Sequence, residues 1–349
     1  MHADRKLESK QSGRQVQGLA FSPPTVGTTP MSEPVAGSAG DTEGGCHTKN
    51  SSHGTVDSEV LVGSSGLILR HSERYCRRLA RSHYENFLVA SILLPRRLRQ
   101  PFYNIYTFCR TADDIADESG DRRLAREGLD RIAADLEDVF AGKPRTEGMF
   151  PALHHTIATF AMDRKPFFDL LSAFRQDQEV LEYETLDQLL DYCSRSANPV
   201  GRLVLKLAGV TDAEQIRLSD QICTGLQLAN FWQDVGRDYA IGRVYLPDQW
   251  RQRYGVTRDM LSAGATSEPV RRLLADLCKM TDGYFQRGIV LAEKVPDWLS
   301  ADIKLFAHGG METLAAIRRV DFDVLRKRPK VSKLTQGKLI LAALLGRLS

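Results

Sequence analysis

Two groups of aspartates, more than 100 residues apart, constrain this chain more than any other feature. Asp113-Asp114-Ile115-Ala116-Asp117 follows a segment in which Phe102, Ile105, Tyr106 and Cys109 recur at i, i+3, i+4 and i+7. That period predicts a helix with a buried face. Asp113 and Asp117 then project from one side, a turn apart, above Arg110, Tyr106 and Phe102. Like charges at this spacing cost an isolated helix about 0.2–0.5 kcal/mol, so something should offset the repulsion. In the second group, Gln227, Asn230, Asp234 and Asp238 follow i, i+3, i+7 and i+11 along a segment rich in Leu, Phe and Trp. Either group alone could be a solvated helix face. Two such stripes, each embedded in an apolar helix, argue against that reading, because buried carboxylates must be paired or bind a metal.

The rest of the body supports a helical reading. Period-2 alternation is nearly absent after residue 66, and Pro or Gly punctuates the chain at helix-length intervals, among them Pro95, Pro101, Gly120, Gly142–Pro144, Pro166, Pro199, Gly209, Gly242, Pro247, Pro269 and Pro296. Asp212 and Ser267 stand where N-caps belong. Asn198-Pro199, inside the helical pattern from Tyr192 to Leu207, predicts a break. One large all-α domain over residues 67–349 is the expectation. Residues 1–66 hold 10 of the 27 Gly, 10 Ser and a single aromatic, Phe21. Too few large apolar groups are present there to offset ordering entropy, so this head is expected to be disordered. It lacks the apolar core of a secretory signal.

Charge narrows the function further. With 47 Lys+Arg against 44 Asp+Glu, the net charge of +3 gives no footprint for nucleic acid. The six cysteines form no CxxC pair and suit small core residues in a reducing, cytoplasmic setting. No run of 18 apolar residues is present to span a membrane. Residues 324–349 carry seven Lys/Arg, no acid, and the run Leu339–Leu345. They predict a terminal helix packed on the body with a basic outer face, or one resting peripherally on an anionic membrane.

The aspartates suggest Mg²⁺, a hard cation that a carboxylate or two can hold while water and phosphate complete its octahedron. Several such ions could bridge a diphosphate to facing acidic helices, with Arg110, Arg202, Arg237 and Arg243 assisting. A carbocation formed there would need an apolar, aromatic-lined cavity, for which Tyr84, Phe87, Phe102, Tyr106, Phe108, Tyr183, Phe231 and Trp232 are candidates.

These motifs, together with Arg243-Val-Tyr-Leu-Pro247, resemble those of the head-to-head isoprenoid synthases, the squalene/phytoene synthase family. The likeness runs over most of residues 71–326. The segments His83–Ser91, Arg195–Arg202 and Asn230–Asp234 are most similar to the hopanoid-pathway branch. The resemblance implies an all-α isoprenoid synthase fold with a central cavity. It implies metal ligation by Asp113, Asp114, Asp117, Asn230, Asp234 and Asp238, substrate binding by His83, Arg110, Gln227, Asn230 and Arg237, and catalytic roles for Tyr106, Tyr183 and Arg110. It further implies ionisation of presqualene diphosphate and water quench of the C30 cation to hydroxysqualene, with possible coupling to other squalene-pathway enzymes. Condensation of two prenyl diphosphates is the alternative, and a non-catalytic scaffold the more distant one. Glu85 and Gln233 stand where relatives that make squalene or dehydrosqualene often carry Lys and Arg. That departure fits a substrate with one diphosphate. No GxGxxG follows a strand, so NADPH is not expected.

Overall fold

The computed structural model describes residues 56–82 and 93–348. It is built from helices, with no strand among the described residues; Glu182 and Val244 form a lone bridge. The helices run α1 (Val56–Ser82), α2 (Arg96–Glu118), α3 (Arg122–Phe140), α4 (Phe150–Phe160), α5 (Arg164–Gln176), α6 (Leu186–Ser196) and α7 (Asn198–Leu207). They continue with α8 (Ala213–Ala240), α9 (Asp248–Tyr254), α10 (Arg258–Ser262), α11 (Glu268–Gly288), α12 (Asp297–Arg319) and α13 (Lys333–Leu344).

Local chemistry sets many of these boundaries. Asp121 accepts from the backbone of Arg123 and Leu124 at the start of α3, and Asp212 from Glu214 and Gln215 at the start of α8. Thr185 and Gln188 close a capping box on α6. Ser267 precedes α11 as expected but makes no side-chain cap bond. The helical pattern breaks at Ala197, between α6 and α7, as Asn198-Pro199 predicts. Pro101 departs from its expected role: it lies inside α2. One missing backbone bond is outweighed there by the burial of Leu98, Phe102, Ile105 and Phe108.

Helix α1 begins at Val56, so residues 56–66, expected to be disordered, are helical in backbone. Extending an existing helix costs far less than nucleating one, and an average over the Gly/Ser-rich head conceals Val56, Val60, Leu61 and Val62. Residues 1–55 lie outside the described residues.

Helix α8 is the axis. It is buried nearly all round from Leu218 to Gln233 and packs against α6, α7, α11 and α12. One apolar core surrounds it, and a second joins α2 to α3, α4 and α5. Val204, Trp298 and Phe306 pack against both. Close approach of α8, α11 and α12 depends on glycine. The ring of fully buried Phe285 is flanked by Gly225, where a Cβ would sit 3.0 Å from Cε1, and by Gly310, where a Cβ would overlap the ring.

At the chain end, α13 packs on α12 through Ala343, with Leu348 and Leu305 completing a small cluster. Leu334, Leu341, Leu344 and Leu345 stay exposed. None of the described helices is long and apolar enough to cross a membrane.

Replacing Gly310 by Ala should lower stability by about 1–3 kcal/mol in thermal or denaturant unfolding, because Phe285 has no room to retreat. Gly337→Ala is the control. It lies in α13 with open space around it, and should be neutral or raise stability by up to about 1 kcal/mol.

Candidate active site

The first aspartate group folds as its spacing dictates. Phe102, Tyr106, Arg110, Asp113, Asp114 and Asp117 lie along α2, and Arg110 and Asp113 are buried. Arg110 reaches Asp114 at 2.5 Å (Nη2–Oδ1) and Asp113 at 3.4 Å, with Glu118 at 3.8 Å. In this structure its charge serves the aspartates of its own helix. Even so, Asp113 is held well above the usual carboxylate range. Burial is the main cause and the charge of Asp117 the next, with Arg110 opposing both. Asp113 Oδ1 is buried and accepts no hydrogen bond. Burial also pushes the Tyr106 phenol up to about 12, so it remains a proton donor.

Beside this group stand Asp177 and Tyr192, which the sequence does not single out as site residues, together with Arg243, Tyr183 and Phe231, which it does. Asp177, the C-cap of α5, is buried and accepts a hydrogen bond of 2.8 Å from Tyr192 Oη. Its main-chain oxygen accepts from Arg243 Nη2 at 3.0 Å. Burial works against the Arg243 charge, but Tyr245, Asp177 and Asp117 together raise its pKa above the ordinary value. The loop carrying Arg243 is fixed by Val244 N–H donating to Leu181 O at 2.8 Å and by Asp248 N–H donating to Tyr183 O at 2.9 Å. Tyr183, Tyr192, Phe231 and Tyr245 form an aromatic wall, with Phe231 and Tyr245 stacked at 3.9 Å. Tyr183 Oη accepts from Gln176 at 3.2 Å, and burial raises its pKa, as does the Asp177 charge.

The second group occupies one stripe of α8. Gln227 and Asn230 are buried, and Gln227 Oε1 accepts no hydrogen bond. Asp234 is held by Arg328 through Nε and, at 3.1 Å, through Nη2. Arg237, half exposed, stands 3.7 Å away. Arg328 arrives with the basic chain end, which crosses α8 where Gly236 leaves space: a Cβ there would lie 3.3 Å from Val324 O. Gln233 Nε2 anchors the crossing by donating to Pro329 O at 2.7 Å. The first part of the expected basic tail thus belongs to the site. Asp238 shares a small cavity with Arg243 and Tyr245, and its main-chain oxygen accepts from Arg243 N–H at 2.9 Å.

Below both groups lies an apolar cavity. Phe102, one turn beneath Tyr106, forms part of its wall, as do Ile222, Cys223 and Leu226 of α8. Among the described residues its lining is mainly aliphatic, with Phe102 and Phe306 the aromatic members. Phe108 packs edge-on against Phe167 at 5.3 Å, and Trp232 is fully buried with Nε1 donating to Thr281. Arg202 is committed to Asp220 at 2.7 Å. His83, Tyr84, Glu85 and Phe87 lie outside the described residues. Asp302 of α12 brings a carboxyl group to the cavity; it is 4% exposed and pushed up to about 8 by burial.

Among the described residues no three Asp, Glu, His or Cys side chains converge into a metal cage. The orphaned oxygens of Asp113 and Gln227 instead suit a cation that takes one or two protein ligands and completes its shell elsewhere.

The profile of the squalene/phytoene synthase family matches residues 80–335. Squalene synthase HpnC from Alicyclobacillus acidocaldarius is 43% identical, with a TM-score of 0.70 over 74% of this chain and 97% of that one. Hydroxysqualene synthase of Rhodopseudomonas palustris is 36% identical over 218 residues, 61% of this chain and 72% of that protein. Phytoene synthase of Rhodobacter capsulatus is 29% identical over 263 residues, 74% and 76% of the two chains. The chain belongs to the squalene/phytoene synthase family and has its all-α isoprenoid synthase fold. Members of the family are isoprenoid biosynthetic enzymes that act on prenyl diphosphates.

Asp302 gives this site a pH signature. The unfolded chain releases that proton near the ordinary value of 3.8 and the folded chain only near 8. Across this window rising pH therefore removes folding stability, at up to about 1.4 kcal/mol per unit. Asp302→Asn should abolish the loss. The melting temperature of the variant relative to the unsubstituted protein should increase from pH 5 to pH 8; an equal difference at both pH values would contradict the burial of an ionisable group.

Proposed function

We propose that this enzyme binds presqualene diphosphate, ionises it, and directs the rearranged C30 cation to a water quench, giving hydroxysqualene. The observation that carries this reading is the vertical order of the site: two acidic helices stand over an apolar cavity. The similarity to hydroxysqualene synthase and to squalene synthase HpnC supports it.

Residues of the chain divide the task. Asp113, Asp114 and Asp117 on one side and Asn230, Asp234 and Asp238 on the other would hold Mg²⁺. When bound, it supplies neutralisation of the diphosphate, making C–O ionisation feasible. Arg110, Arg237, Arg243 and Arg328 provide cationic hydrogen-bond donors around the same mouth. Tyr106 and Tyr183 stay protonated through burial and can donate to the leaving group. The wall of Tyr183, Tyr192, Phe231 and Tyr245 presents π faces to positive charge, and the cavity beneath keeps bulk solvent from the prenyl chains.

The decisive measurement is incubation of the purified protein with Mg²⁺ and labelled presqualene diphosphate or farnesyl diphosphate, with and without NADPH. A C30 alcohol from presqualene diphosphate without NADPH is expected, with loss of activity on metal chelation. Turnover of farnesyl diphosphate alone would replace this reading by condensation of two prenyl diphosphates, and inertness towards both would favour a scaffold.

Asp113 offers the cleanest mutational test. Burial already drives it towards its neutral form, so Asp113→Asn should leave the melting temperature unchanged or raised. Turnover should fall by about 100-fold or more through the lost metal ligand. A parallel fall of both would mark the residue as structural. Asp234 is less diagnostic, since Asp234→Asn also removes the partner of buried Arg328.

A further inference from the structure

The hydrocarbon cavity has one group that its apolar contents cannot satisfy. Along α12, Leu299, Asp302, Ile303 and Phe306 face the cavity at the i, i+3, i+4 and i+7 positions of one stripe. Three of these positions are apolar as expected. The fourth is a carboxyl group, 4% exposed, whose Oδ1 is buried and accepts no hydrogen bond. No charged neighbour contributes to its protonation state; burial is the whole cause. It therefore differs from the aspartates at the mouth, where arginine stands close by. A buried polar group without a partner is costly, and in native folds such groups are exceptional.

Three kinds of partner could satisfy Asp302. Among the described residues no cation contributes to its protonation state and no group of acids forms a metal cage with it. A prenyl chain offers no hydrogen bond. Water remains. The lining of the same cavity includes a second polar residue, Ser219 of α8. A confined water needs two or more polar partners, and Asp302 and Ser219 are both on the lining of this cavity.

We propose that Asp302 seats the water that quenches the C30 cation, and so selects alcohol over hydrocarbon as the product. The inference rests on the water-quench reading above and assigns that step to a residue. Diphosphate has by then departed with the electron pair of the broken C–O bond. The water oxygen donates a lone pair to the cationic carbon and forms the new C–O bond. One of its O–H bonds breaks, and the proton passes to the Asp302 carboxylate, which becomes the acid and releases it to bulk water after product leaves. Burial favours the neutral acid, so with its pKa pushed up to about 8 a minority of Asp302 is ionised at neutral pH, and a carbocation in the cavity favours that charged form.

The test uses the full-length enzyme with Mg²⁺ and presqualene diphosphate, following diphosphate release and the alcohol share of C30 products separately. In Asp302→Leu, diphosphate release should be nearly unchanged, while alcohol formation falls by about 100-fold in favour of proton-loss products. Asp302→Asn, which can still hold a water but cannot take its proton, should fall between. The conservative variant also separates chemistry from misfolding. An unchanged alcohol share in both variants overturns the proposal. In a single turnover in H₂¹⁸O, the unsubstituted enzyme should place ¹⁸O in the alcohol; ¹⁶O would show that the carboxylate itself captures the cation, which also overturns it. If the unsubstituted enzyme makes no alcohol, the water-quench reading itself fails. Alcohol with an unaltered partition defeats only the role of Asp302.

Discussion

Negative charge packed into a helical interior is the constraint around which this protein is organised. Two unit charges 4 Å apart interact by about 4 kcal/mol even at an effective dielectric constant of 20. Asp113, Asp114, Asp117 and Asp177 stand in one neighbourhood, and Asp234 opposite. Each set has its own arginine: Arg110 for Asp113 and Asp114, Arg243 for Asp177 and Asp117, and Arg328 for Asp234. Such pairs are poor evidence of stability, because desolvation offsets much of the attraction. Their value is that the acidic cluster remains compatible with a folded chain before any ligand arrives. A divalent cation entering the site must compete with guanidinium groups already in place, and those groups are then at hand for phosphate.

Bringing three arginines to one mouth explains features of the fold that packing alone does not. Arg243 reaches Asp177 because the loop after α8 is bonded to the segment after α5 through Val244 and Leu181. Arg328 reaches Asp234 because Gly236 lets the chain end cross α8, and Gln233 holds Pro329 there. Helix α8 carries both halves of the site. Ser219, Ile222, Cys223 and Leu226 line the cavity, and Gln227, Asn230 and Asp234 continue up the rod. From Ser219 to Asp234 is about 22 Å at 1.5 Å per residue. One rigid helix, pinned by the Gly225–Phe285–Gly310 contact, thus fixes the distance between the charged mouth and the apolar floor.

Periodicity made both aspartate stripes legible, because each lies within a single helix and repeats with that helix. The break at Asn198-Pro199 and the cap at Asp212 were legible for the same local reason. Asp177 was not. It sits in Arg175-Gln-Asp-Gln-Glu179, a run whose composition matches an exposed helix end. Its burial comes from Tyr192 and Arg243, which arrive from elsewhere in the chain. Arg328 was hidden likewise, one of seven basic residues in a segment that reads as a tail. The aromatic residues show the converse error. Phe108 and Trp232 lie in the right segments but point into the core, where Phe167 and Thr281 meet them. Sequence places a residue on a helix, but neighbouring helices decide what its face meets.

Carboxyl groups in this molecule experience two environments, and the contrast bears on their chemistry. At the mouth, charge is abundant: aspartates repel one another, arginines answer them, and burial tips Asp113 towards neutrality without removing its neighbours. In the cavity, Asp302 meets no charge at all, and its proton is held by desolvation alone. Environments that separate the protonation behaviour of like groups are how one fold assigns them different tasks. In the proposed reaction a mouth aspartate would respond chiefly to cations that arrive with the diphosphate. Asp302, remote in character from that cluster, responds to whatever polar or cationic species enters the hydrocarbon space. Placing one acid on an otherwise apolar stripe therefore puts a second polar position below the first, and under the proposed water quench it is the position at which capture would follow ionisation away from bulk water.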